Sequence, residues 1–191
     1  MGKSRLEAFS DGVLAIIITI MVLELKAPHG DGLAELRPLL PALLSYVLSF
    51  VYLGIYWNNH HHMLHTVQRV TGAGLWGNLH LLFWLSLIPF VTGWMSENHF
   101  QPLPVAVYGT VLLMAGVAYY IFERILVAHH GAESALARAV GAEIKGIVSV
   151  LIYAVAIVLA FWYPMAACGL YVLVAIMWFF PDPRIERLVK R

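Results

Sequence analysis

Charge is what this chain has least of. Acidic and basic residues together make up 12% of its 191 residues, where a soluble domain carries about a quarter. A net charge of +1 leaves no basic stripe for nucleic acid. A single cysteine, Cys168, excludes an intrachain disulfide and a cysteine metal set. It lies in an apolar run and reads as a packing residue. No His-Glu-x-x-His, no Gly-x-Ser-x-Gly and no paired carboxylates occur inside the apolar segments, so nothing points to an enzyme. No inverted repeat and no low-complexity tract is visible.

What is present in excess is apolar surface. Hydrophobic residues make up 61% of the chain and the mean hydropathy is +0.78. That balance defines an all-α integral membrane protein with almost no chain left for a soluble domain. The pattern predicts six transmembrane helices, at residues 8–25, 39–66, 75–96, 103–128, 140–162 and 165–180, forming one domain over residues 1–191. Proline marks their ends: Pro28 and Pro38 with Gly30 in the first connection, Pro102 and Pro104 opening helix four, Pro164 opening helix six, and Pro181 and Pro183 closing it. Pro89 falls inside helix three and predicts a kink or a junction there. The first segment has Lys3 and Arg5 before its apolar core, as a signal peptide does. Asp11 interrupts it and no small-x-small site follows, so it reads as a membrane helix.

The few basic residues are unevenly placed. Lys3, Arg5, Arg69, Arg124, Arg138, Lys145, Arg184, Arg187, Lys190 and Arg191 fall on one side of a six-helix chain. Only Lys26 and Arg37 fall on the other. The positive-inside rule then puts both termini in the cytoplasm of a multi-pass cell-membrane protein. Trp57, Trp94, Trp162 and Trp178 near helix ends fit an aromatic belt.

Helix one has an ordered face. At about 100° per residue, Ile16, Ile20 and Leu23 fall within about 60° of one another, and Thr19 flanks Ile16 by about 60°. Asp11 lies about 140° from Ile16, on nearly the opposite face. A carboxylate beside an apolar run needs a protein partner or water, because an ionised Asp facing lipid is costly. If Asp11 faces the protein interior, the stripe faces away from its own bundle. It then meets lipid or an identical stripe from another subunit, and periodicity alone favours lipid.

Three sets of residues carry a resemblance. Arg5-x-x-x-Phe9-Ser10-Asp11-Gly12 opens helix one, followed by Ala15-Ile16, Thr19 and Leu23-Glu24. Helix two ends in Trp57-Asn58-Asn59-His60-His61. Helix three carries Asn78 and Leu87-Ile88-Pro89-Phe90-x-Thr92. Together they resemble the TMEM175 family of potassium channels, over a chain whose helices four to six are generic. The resemblance implies a homotetramer in the lipid bilayer, with helix one of each subunit lining a shared pore for permeant monovalent cations. It implies a potassium-permeable cation channel of modest selectivity that needs no cofactor beyond its permeant potassium ions. The Thr-Val-Gly-Tyr-Gly filter of ordinary potassium channels is absent, and Gly169-Leu170-Tyr171 is not that loop.

Carried over by position, Ile16 forms the tightest apolar ring. Thr19 sits one turn beyond, and Ile20 and Leu23 extend the apolar layer. Arg5, Phe9, Ser10, Asp11, Trp57, His60, His61 and Asn78 are then expected to form a structural network. In it Asp11 accepts hydrogen bonds from Trp57, His60 or Asn78. His61 and His65 are four apart, a spacing that can bind zinc. No cysteine is near, so no metal is assigned. His62 and His65 are expected at the interface, His29, His129 and His130 in loops, and His80 in the interior. The competing function is a proton-coupled secondary transporter, or a proton pathway, using Asp11 and the helix-two histidines. The missing inverted repeat and the lack of paired broken helices argue against it.

Overall fold

The computed structural model describes residues 2–28, 32–67, 69–131 and 144–179. His29, Gly30, Arg138, Pro181, Pro183 and the four basic residues of the C-terminus fall outside this set. So do residues 140–143 of the expected fifth helix and residue 180 of the sixth. Every element among the described residues is helical. The helices are α1 (Lys3–Leu23), α2 (Leu40–His65), α3 (Gly72–Ser86), α4 (Ile88–Glu97), α5 (Pro102–His130), α6 (Ile144–Leu159) and α7 (Pro164–Phe179). They group into six helical segments, because α3 and α4 together make one.

Helix α1 starts five residues earlier than expected. Apolar periodicity cannot see its polar first turns, which are helical nonetheless. Lys3 and Glu7 help hold that end, one helical turn apart at 3.8 Å. Lys3 Nζ also donates to the backbone carbonyl of His65 at 3.0 Å, closing the end of α2. A 3₁₀ turn over Leu33–Leu39 leads into α2, and the sequence pattern does not announce it. Pro41 then sits at the start of α2, where its missing N–H costs nothing.

Thr71 caps α3 by accepting the Gly74 N–H at 3.2 Å. The third span breaks at Leu87. Pro89, in the first turn of α4, cannot donate back to the preceding turn, so one helix ends and a second begins. The α4–α5 turn is tight enough to hold His99 and Phe100 at positive φ, 49° and 58°.

Four stretches are long and apolar enough to cross a membrane: Lys3–Leu23, Leu33–His65, Gly72–Glu97 and Pro102–His130. Two apolar helices of 16 residues, α6 and α7, complete the bundle. Helix α5 is its hub. Tyr108, Leu112, Ala115, Ala118 and Phe122 are fully buried there, between α3, α4 and α6.

Small residues let these helices approach. A methyl group on Gly109 would lie 2.6 Å from the Tyr171 ring carbon Cζ. Glycine therefore admits the Tyr171 hydroxyl, which donates to the Val105 carbonyl at 3.1 Å. Buried hydroxyls add polar ties between spans. Ser49 Oγ lies 2.7 Å from Thr92 Oγ1 and 3.0 Å from the Tyr108 hydroxyl. The Tyr52 hydroxyl donates to the Tyr171 carbonyl at 2.6 Å and receives the Tyr153 hydroxyl at 3.2 Å. In hydrocarbon such groups have no water to fall back on, so pairing them binds helix to helix.

Candidate functional site

Helix α1 divides cleanly into two faces. Leu6, Ser10, Leu14, Ile17 and Met21 recur every three or four residues and are all buried. They pack on α2, α3 and α4. The opposite side is bare. Ile16 is 59% exposed, Ile20 42% and Leu23 79%, and Thr19 is exposed with them. The subunit leaves the whole of this stripe uncovered. Thr19 Oγ1 donates to the Ile16 carbonyl of its own helix at 2.9 Å. Its proton is thereby committed inward, and its oxygen lone pairs are left for a cation or water.

A groove of about 620 Å³ runs beside the stripe, between Val13, Ile16, Ile17 and Ile20 on α1 and Pro89, Phe90, Gly93 and Trp94 on α4. The carboxylates Glu24 and Glu97 stand at one end of it. There Glu97 is held by Lys26 at 3.1 Å, in an exposed pair.

At the end where α1 begins, a buried polar cluster fixes its rotation. Asn78 Nδ2 donates to Ser10 Oγ at 3.0 Å, and His60 Nε2 lies 2.7 Å from Asn78 Oδ1. Asn78 Oδ1 can only accept, so His60 carries its proton on Nε2. Ser10 Oγ donates to the Leu6 carbonyl at 2.9 Å. Ser10 and Asn78 are fully buried, and His60 nearly so. Phe122 stacks on the His60 ring at 5.8 Å between centroids.

Of the three candidate donors to Asp11, Trp57 reaches it and His60 and Asn78 do not. Ser10, not Asp11, is the residue that meets Asn78 and His60. Asp11 is exposed and takes one hydrogen bond, from Trp57 Nε1 at 3.0 Å. The cause is helix rotation. One residue turns the side chain about 100°, so Ser10 points inward while Asp11 sits on the flank. The small hydroxyl fits a closed interior, and the charge stays where it can be solvated. His61 also stays outside the cluster: it is exposed and stacks on Trp57 at 6.1 Å. Arg5 is exposed and Phe9 is half exposed. His80 is a partly buried acceptor for Trp84 Nε1 at 3.0 Å. The Ser49–Thr92–Tyr108 and Tyr52–Tyr153 ties were missed, although Ser45 and Ser49, one turn apart in an apolar helix, were a readable sign.

The fold and these contacts define an all-helical integral membrane protein. Its first helix is locked in rotation by a buried Ser-Asn-His cluster and presents an uncovered apolar face with one hydroxyl. A family model described as "Endosomal/lysosomal potassium channel TMEM175" matches residues 5–89, which hold this helix from Arg5 onward and the whole cluster. A potassium channel of Chryseobacterium sp. (strain P1-3) is 53% identical over 190 residues, 100% of this chain and 99% of that one. A potassium channel of Streptomyces collinus is 37% identical over 125 residues, 61% of each chain. Among solved structures, a lysosomal potassium-selective channel TMEM175 homolog from Chamaesiphon minutus superposes with a TM-score of 0.79. It has 29% identity, over 93% of this chain and 96% of that one. The chain belongs to the TMEM175 family.

Proposed function

We propose that this protein is a potassium-permeable channel of modest selectivity, built as a homotetramer around one pore that α1 of each subunit lines. The single observation that carries the reading is the uncovered stripe of Ile16, Thr19, Ile20 and Leu23, on a helix whose other face is fully packed. Closed cyclic symmetry brings four such stripes together without leaving an open end. The potassium channels to which the chain is similar support the choice of ion.

In this reading Ile16 makes the narrowest ring. Leu23, seven residues on, closes the sleeve about 10 Å further along the axis. An ion crossing an apolar ring keeps part of its water or bears the cost of losing it. Potassium holds its hydration shell less tightly than sodium, so the ring favours potassium modestly. The outward lone pairs of Thr19 replace some of the lost water oxygens. The apolar rings also close the pore by dewetting when they narrow. The Ser10–Asn78–His60 cluster sets the rotation of α1 and hence which side chains face the axis. Residues 1–191 act as one domain, with both termini in the cytoplasm, from the distribution of Lys and Arg.

A planar-bilayer recording of the purified protein under potassium-to-sodium gradients tests the reading. Resolvable unitary currents with a reversal potential shifted toward the potassium equilibrium value are expected. Transport without unitary steps would point instead to alternating access, and no current at all would remove the channel.

A further inference from the structure

The exposed end of α2 carries two histidines that the channel reading leaves without a role. His61 and His65 stand one turn apart on the same exposed face. Their ring centroids are 6.4 Å apart, with the planes inclined by 46°. Among the described residues neither ring takes part in a hydrogen bond or an ion pair; His61 also meets His62, edge to face at 5.7 Å with the planes inclined by 65°. The Lys3 ammonium bonds the backbone carbonyl of His65 rather than its ring. That bond closes the last turn of α2 and keeps the two side chains at helical spacing.

We propose that His61 and His65 form a binding site for a borderline divalent transition ion such as Zn²⁺, Ni²⁺ or Cu²⁺. An ion held at about 2.0–2.1 Å from an imidazole nitrogen lies about 3.2 Å from that ring's centroid. Two rings sharing one ion therefore stand about 5–6.5 Å apart, depending on the N–metal–N angle. The observed separation is at the upper edge of that range, and a small χ rotation closes it. Among the described residues no third His, Cys, Asp or Glu joins the pair. Water completes the coordination, and imidazole donors favour these ions over magnesium or calcium. His60, although adjacent, is turned inward to Asn78 and takes no part.

The site is linked to α1. His61 stacks on Trp57, and Trp57 holds Asp11 on the flank of α1. A metal that draws the His61 ring toward His65 takes it off Trp57, so occupancy alters the tie on the helix assigned to the pore. This second statement rests on the channel reading; the binding site does not.

The test uses full-length protein, purified through a histidine-free tag and reconstituted in nanodiscs and bilayers. Titration with Cu²⁺, followed by calorimetry and by electron paramagnetic resonance, is expected to give a site of one equivalent per subunit with splitting from two imidazole nitrogens. His61→Ala and His65→Ala should each weaken that site at least tenfold, while His62→Ala, about 100° around the helix, leaves it intact. Both target rings are exposed, so these replacements spare the core, and a potassium current in metal-free buffer checks that each variant is assembled. If His61→Ala binds Cu²⁺ with unchanged stoichiometry and affinity, the site is wrong. In the bilayer, Zn²⁺ on the side of the α1 N-terminus should change the wild-type current and leave both His variants unaffected. An unchanged wild-type current at saturating Zn²⁺ overturns the link to α1. Absence of any current in metal-free buffer counts against the channel reading alone, because the Cu²⁺ titration still decides the site.

Discussion

Asn78 Nδ2 donates to Ser10 Oγ at 3.0 Å across 68 residues of sequence, inside a region closed to solvent. This contact joins the third span to the first. With the packing of Leu6, Leu14, Ile17 and Met21, it holds the apolar stripe of α1 outward. Stability should therefore follow Ser10 and Asn78 more than the charged neighbour.

Ser10→Ala leaves the Asn78 amide without its acceptor. The cost of an unsatisfied buried donor is about 1–3 kcal/mol, tempered in membranes because the unfolded state also finds partners. A drop in Tm of several degrees is expected in detergent, with loss of the assembled fraction on size exclusion. Asp11→Asn keeps an oxygen acceptor for Trp57 at an exposed position, so its stability should stay within about 1 kcal/mol of wild type. If Asp11→Asn abolishes proton permeation while the potassium current persists, Asp11 acts as a relay.

The contrast between these two residues shows what the sequence could and could not reveal. Transfer free energy is additive along a chain, so the spans, the bare stripe of α1 and the break at Pro89 were readable from composition and period. Pairing is different, because it depends on which side of a helix a residue occupies. Asp11 drew attention by its charge, but one residue of rotation gave the interior position to Ser10. The Tyr52–Tyr153 tie joins residues 101 apart, and no local pattern marks it. The early start of α1 and the 3₁₀ turn at Leu33–Leu39 were hidden for a simpler reason: neither adds to an apolar run.

Gly109→Ala tests the closest approach between α5 and α7. The added methyl would meet the Tyr171 ring, which must then leave the Val105 carbonyl. Overpacking of this kind costs about 1–3 kcal/mol. A lowered Tm is expected, partly restored by adding Tyr171→Leu, which removes the obstructing ring. A Gly109→Ala protein as stable as wild type would mean that Tyr171 has room to move.

Topology is tested by fusions after Arg191. With both termini in the cytoplasm, a cytoplasmic reporter there is active and a periplasmic one silent. The reverse pattern would overturn the orientation read from Lys and Arg, and, with a cytoplasmic N-terminus, would require an odd number of spans.

The exposed arc of α1 is wider than the proposed pore needs. Val22 is 46% exposed, close to Ile20 at 42%, so exposure in one subunit does not separate the two. Helix phase does. Val22 lies about 20° from Asp11, about 120° from Ile16 and about 60° from Thr19, which stands between Ile16 and Val22. In the proposed tetramer the Asp11–Val22 flank falls to a neighbouring subunit and the Ile16–Leu23 stripe to the axis. Ile16→Asn places a ring of amides at the narrowest point, and should raise conductance and weaken the preference for potassium over sodium. Thr19→Val keeps the shape but removes the outward lone pairs, so conductance or selectivity should fall. Val22→Asn should leave the reversal potential unchanged under a potassium-to-sodium gradient, whatever it does to assembly. If Val22→Asn shifts that potential while Ile16→Asn and Thr19→Val do not, the axis runs along the other flank of α1.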